Sequence, residues 1–105
     1  MFCVVLSSAG SRSEAMRIGR TLVEERLAAC VTVIPAGVSI YRWRGRVERS
    51  REALLLIKTR KSRIKNLMRR LREKHSYELP EVLVLDVSGG SKEYLKWLKA
   101  ETGKG

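Results

Sequence analysis

A chain of 105 residues suffices for one core and needs no metal or disulfide staple. With 44% hydrophobic and 31% charged residues it is not disordered, and no apolar run reaches the ~18 residues of a membrane-spanning helix. Twenty-two Lys and Arg against 11 Asp and Glu leave a net charge of +11, which suits either a polyanion partner or a densely charged, thermostable surface. The lack of Gln and the single Asn66 favour the second, so a nucleic-acid partner is not expected.

In chain order, "FCVVLSS" (2–8) is a Val-rich run expected to form a strand covered on both faces. No charged segment precedes it, as a secretory leader requires, and the expected location is the cytoplasm. Ser11, three residues before Glu14, opens a helix through a capping box. Ala15, Ile18, Leu22 and Leu27 give that helix an inward stripe that ends near "LAAC". "CVTVIPAGVSIYRW" (30–43) reads as a long strand bent near Pro35 and Gly37, "RG" (44–45) as a tight turn, and "VERSREALLLIKT" (47–59) as the partner strand. A second helix is expected from Ser62, with Ile64, Leu67, Met68 and Leu71 inward and His75 one turn later. "EVLVLDV" (81–87) is the last strand, and a short helix capped by Ser91 carries Tyr94, Trp97 and Leu98 on one side.

The order β-α-β, β-α-β plus a final helix predicts one α+β domain over residues 1–105. It would be a ferredoxin-like sandwich with an antiparallel sheet and helices on one face. The hairpin arms are about twice the usual strand length, and Ile40, Tyr41, Trp43 and Val47 make them too apolar for water. With Trp97 on the last helix, these side chains are expected at an interface between copies of the chain. Base stacking is the other reading of the aromatics, but the Gly-aromatic signature of RNA-binding sheets is missing. The basic run 60–74 reads as a solvated helix face.

The chemistry-bearing residues gather in "KHSYELPE" (74–81). His75, Glu78 and Glu81 fall within seven residues, and Cys30 could join them only through the fold. Against a metal role, His75 suits a helix C-terminus and Cys30 a small buried hydrophobe. Cys3 and Cys30 form no CxxC and are expected reduced, a disulfide being the other reading. Lys58, His75, Tyr77 and Glu81 are types an acid/base site uses, and Lys58 and Glu81 could equally form a buried pair at a subunit interface. With no nucleophile elbow, carboxylate dyad or phosphate-binding glycine loop, no enzymatic reaction is expected.

"LVEERLAACVTVIP", "SIYRWRGRV", "LLLIKT", "HSYELPEVL" and "EYLKWL" together resemble the divalent-cation tolerance protein family CutA, in order and spacing, over essentially the whole chain. The resemblance implies a homotrimer similar to PII signalling proteins, with hairpins wrapping neighbouring subunits, and a link to copper and other divalent metals. It also implies an intersubunit cleft whose residues match Cys30, Trp43, Lys58, His75, Tyr77 and Glu81; Glu78 adjoins them. The expected ligands for copper(II) are thus His75, Cys30 and Glu81, with Trp43, Lys58, Tyr77 and Glu78 lining the cleft. Four residues depart from the family pattern. Thr32 stands for a common Asn, and Arg46 for an acidic residue or lysine. Ser7 stands for a Cys suspected as a copper ligand in some members. Ser76 replaces the Pro of His-Pro-Tyr, which should leave that loop less rigid.

Overall fold

A computed structural model describes residues 1–103. The chain runs β1 (Phe2–Ala9), α1 (Arg12–Glu24), β2 (Cys30–Trp43), β3 (Arg46–Arg60), a 3-10 turn (Lys61–Arg63), α2 (Ile64–Lys74), β4 (Leu83–Asp86) and α3 (Lys92–Glu101). The four strands form one sheet in the order β2-β3-β1-β4, every neighbouring pair antiparallel. This is the ferredoxin-like arrangement that the element order predicts.

Strand β1 departs from expectation, because it alternates instead of being covered on both faces. Cys3, Val5, Ser7 and Ala9 are buried, whereas Phe2, Val4 and Leu6 are only half-buried. Side chains of a strand point alternately to opposite faces, so the helices cover only one set. That set meets Ala53, Leu55, Ile57 and Thr59 of β3 across the register, and Ile18, Leu22, Leu67 and Leu71 complete the core from the helices. The opposite face remains bare in this chain, with Ile34, Leu83 and Leu85 exposed among half-buried neighbours.

Local chemistry explains the element ends. Ser11 is extended and its Oγ accepts from the Glu14 backbone N–H at 3.1 Å, which opens α1. The helix stops at Glu24, before the expected end. Leu27 lies outside it but remains in the core, its N–H donating to the Leu22 carbonyl at 2.9 Å. Arg44 (φ 50°) and Gly45 (φ 78°) both take left-handed backbone at the β2–β3 turn, matching the right-handed twist of the arms. The β2–β3 ladder slips between Ile34 and Gly37, at the bend expected from Pro35. The arms contain 14 and 15 residues, confirming an unusually long hairpin.

Two other boundaries move. Residues 61–63 form a 3-10 turn before α2, and β4 is confined to Leu83–Asp86, with Pro80, Glu81 and Val82 outside the sheet. The basic run is also less free than a solvated face. Arg60 and Arg63 donate to the Thr102 carbonyl at 2.9 and 2.8 Å, securing the negative C-terminal end of α3.

Candidate functional site

Four hydrogen bonds anchor the start of the segment between α2 and β4. His75 caps α2, and its side chain is fully buried. Its Nδ1 accepts from the Tyr77 N–H at 3.0 Å, so the proton sits on Nε2, which donates to the Ser8 carbonyl at 2.6 Å. Both ring nitrogens are thereby engaged, and the histidine pins the loop to the end of β1. Ser76 does not loosen the loop as expected. Its N–H and hydroxyl donate to Glu14 at 2.7 and 3.0 Å, and proline has no N–H for the first of these bonds. Glu14 also accepts from the Gly10 N–H at 3.3 Å, so the expected capping carboxylate reaches one residue beyond its own cap and ties α1, β1 and the loop together. Burial pushes the Glu14 carboxyl up, but the Ser76 hydrogen bonds, the adjacent His75 and the Gly10 N–H outweigh it. The net direction is below the usual carboxylate range.

Beyond this anchor Tyr77 reaches the open side of the sheet, where its Oη donates to Glu52 Oε2 at 2.8 Å. Burial, then the hydrogen bond and charge of Glu52, raise the Tyr77 phenol far above its ordinary value and keep it protonated. The Ser8 hydroxyl sits 3.4 Å from Glu52 Oε2 and 3.5 Å from Glu81 Oε1, a single proton between two carboxylates. These groups border a cavity of about 630 Å³ whose walls include Tyr41, Trp43, Tyr77, Glu52, Glu78 and Glu81. At the rim the Arg44 guanidinium lies 5.4 Å over the Trp43 ring and 3.9 Å from Glu78.

The expected site residues therefore separate into two places. Trp43, Tyr77, Glu78 and Glu81 gather at the cavity, with His75 buried behind them. Lys58 and Cys30 sit at the far end of the open face, where Lys58 Nζ donates to Thr32 Oγ1 at 2.6 Å and lies 3.8 Å from Cys30 Sγ. Lys58 stands opposite Val4 of β1, whereas the cavity adjoins Ser8, about 13 Å further along the strand. Within one chain, Lys58 and Glu81 form no pair and Cys30 does not meet His75 and Glu81. Among the described residues no three His, Cys, Asp or Glu side chains are grouped to hold a metal ion. Cys3 and Cys30 are free thiols on opposite faces of the sheet, so the disulfide reading falls away.

Of the expected interface residues, Ile40 and Val47 are 72% and 66% exposed on one face of the hairpin. Tyr41 and Trp43 occupy the other face, and Trp97 is exposed beside Tyr94 on α3. No local motif marks Glu52 or Ser8 as members of this cavity. Glu52 directly precedes the unbroken apolar run "ALLLI" (53–57), and only the register shows that it shares the open face with Leu54 and Leu56.

No helix of the described residues is long and apolar enough to cross a membrane. The family described as CutA1 divalent ion tolerance protein matches residues 3–101. A divalent-cation tolerance protein CutA of Thermus thermophilus is 45% identical, over 95% of this chain and 97% of its own length. That of Pectobacterium atrosepticum is 44% identical over 92% of this chain and 88% of its own. The solved structure of the Thermus thermophilus divalent cation tolerance protein superposes with a TM-score of 0.96, covering 98% of this chain and 100% of that one. Fold and sequence agree along nearly the whole chain: it belongs to the CutA1 divalent ion tolerance family.

Proposed function

We propose that the protein is a cytoplasmic homotrimer that binds divalent metal ions, copper(II) foremost, in metal response, without catalysing a reaction. The observation that carries this reading is the convergence of Glu52 and Glu81 on Ser8 in the cavity, in a chain otherwise dominated by positive charge. Carboxylate oxygens are ligands for divalent cations, and the names of its relatives point the same way. Copper(II) also favours nitrogen or sulfur donors. Among the described residues the only accessible thiol or imidazole near the open face is Cys30, at its far end. A neighbouring copy that covers the bare apolar face can bring its Cys30 toward this Glu81, which makes trimer and metal site one proposal. His75 joins only by giving up one of its two ring hydrogen bonds.

Calorimetric titration of copper(II) into wild type, Glu81→Gln, Cys30→Ala and His75→Ala tests the site. Glu81→Gln and Cys30→Ala should each weaken binding roughly tenfold or more. Equal binding by all four proteins removes these residues as ligands. Sedimentation should give a particle of three 11.9-kDa chains, and a monomer ends the shared-site reading.

A second reading is favoured by the cavity itself. Its volume and mixed aromatic and carboxylate walls are those of a small-molecule site, so a PII-like trimer could hold a small ligand there rather than a metal.

A further inference from the structure

Twice as many basic as acidic residues occupy this chain, yet among the described residues three carboxylates and no Lys or Arg line the cavity. Glu52 is the most demanding of them, being only 9% exposed. Its hydrogen-bond partners are two neutral hydroxyls, from Tyr77 and Ser8, and both approach Oε2. Among the described residues Oε1 accepts no hydrogen bond, and no basic side chain forms a salt bridge with Glu52 or Glu81. A buried carboxylate without a cation is costly, and a cation placed against it is correspondingly favoured.

The walls indicate which kind of cation. Tyr41, Trp43 and Tyr77 present aromatic surface beside the carboxylates. A guanidinium stacks flat on such rings while its N–H fork meets carboxylate oxygens, whereas a hydrated ammonium or metal ion uses the rings less well. The rim already shows that chemistry, because Arg44 lies over Trp43 and reaches Glu78. Among the described residues the buried Glu52 and the exposed Glu81 have no such partner.

We propose that the cavity is a guanidinium-binding site, in which the planar cation stacks beside Trp43 and donates to Glu52 Oε1 and Glu81. This rests on the small-molecule reading of the cavity and names its ligand class. Two sources supply that chemistry: a free guanidine compound, or an arginine of a neighbouring copy, since Arg42, Arg49 and Arg51 form no salt bridge among the described residues.

The test uses n-butylguanidine and its uncharged isostere n-butylurea, titrated with chelator present into protein carrying Trp97→Phe, so that Trp43 is the only tryptophan. Fluorescence and calorimetry should show butylguanidine binding roughly tenfold or more tighter than butylurea. Glu52→Gln should abolish that preference, and Glu81→Gln, at an exposed position, should reduce it if Glu52→Gln fails to fold. Sedimentation in the same samples separates the sources. An unchanged mass with bound butylguanidine supports a free ligand, and a mass that falls as butylguanidine enters supports an arginine from the neighbour. Equal binding of both probes would overturn the guanidinium assignment while leaving a small-molecule site. Binding of neither, with the mass unchanged in wild type and in Glu52→Gln, would overturn both.

Discussion

Glu14 shows how much one side chain can organise. It lies in the first turn of α1, where a carboxylate suits the positive end of the helix, and accepts hydrogen bonds from Gly10 and from both donors of Ser76. Because its folded carboxyl titrates below the unfolded reference of 4.5, the unfolded chain binds more protons as pH falls through that range. The contribution of Glu14 is present above pH 4.5 and is lost as pH drops through the lower folded value. Thermal unfolding of wild type should therefore steepen with acid below pH 4.5, and Glu14→Gln should be flatter there. At neutral pH Glu14→Gln should cost about 1–3 kcal/mol, since the amide replaces an oxygen acceptor with a donor facing other donors. Identical pH profiles for the two proteins would remove this role. The sequence showed the Ser11–Glu14 spacing of a helix start, and Ser11 does cap α1. That Glu14 also holds a loop 62 residues away was not legible, because no local spacing encodes the meeting of Gly10 and Ser76.

At the level of elements, α1 approaches β2 through Gly19. A Cβ built there would lie 3.0 Å from Val31 Cγ1 and 3.3 Å from Val31 Cβ, too close unless the stiff β-branched side chain gives way. In an open helix a Gly-to-Ala change gains about 1 kcal/mol of propensity. Here Gly19→Ala should show less than that gain or a net loss in wild type, and should recover it in a Val31→Ala background. A double-mutant cycle by denaturant unfolding measures the coupling, and additive effects would mean the helix has room to move. The hairpin was legible at this scale from its arm lengths, its turn glycine and its proline bend. The coverage of β1 was not. A Val-rich run reads the same whether the second face meets helices of its own chain or another copy.

Taken whole, the molecule has a dressed and a bare side. Helices cover one face of the sheet, and the other presents Ile34, Leu83 and Leu85 beside a hairpin whose Ile40 and Val47 are more than half exposed. Exposed apolar surface of this extent is characteristic of association sites. Ile40→Glu combined with Val47→Glu places two carboxylates on one hairpin face and should lower the sedimenting mass while far-ultraviolet circular dichroism holds. An unchanged mass in the double variant would place the contact on the sheet face instead of the hairpin. Thiol labelling offers an independent reading of the dressed side. Cys3 is fully buried, and burial raises its thiol, so it should resist alkylation until the protein unfolds.

The sequence by itself determined the order of elements, the Ser11 and Ser91 caps of α1 and α3, the long hairpin and the family. Each of these rests on periodicity, on turn chemistry, or on residue strings that survive as contiguous text. Tertiary structure decided how the site is composed. It buried His75 behind the cavity through two hydrogen bonds, carried Lys58 and Cys30 to the opposite end of the open face, and brought forward Glu52 and Ser8. The physical reason is register: which residues of β1 and β3 stand opposite one another depends on pairing across more than forty residues, and a slip of one position would turn Glu52 toward the helices.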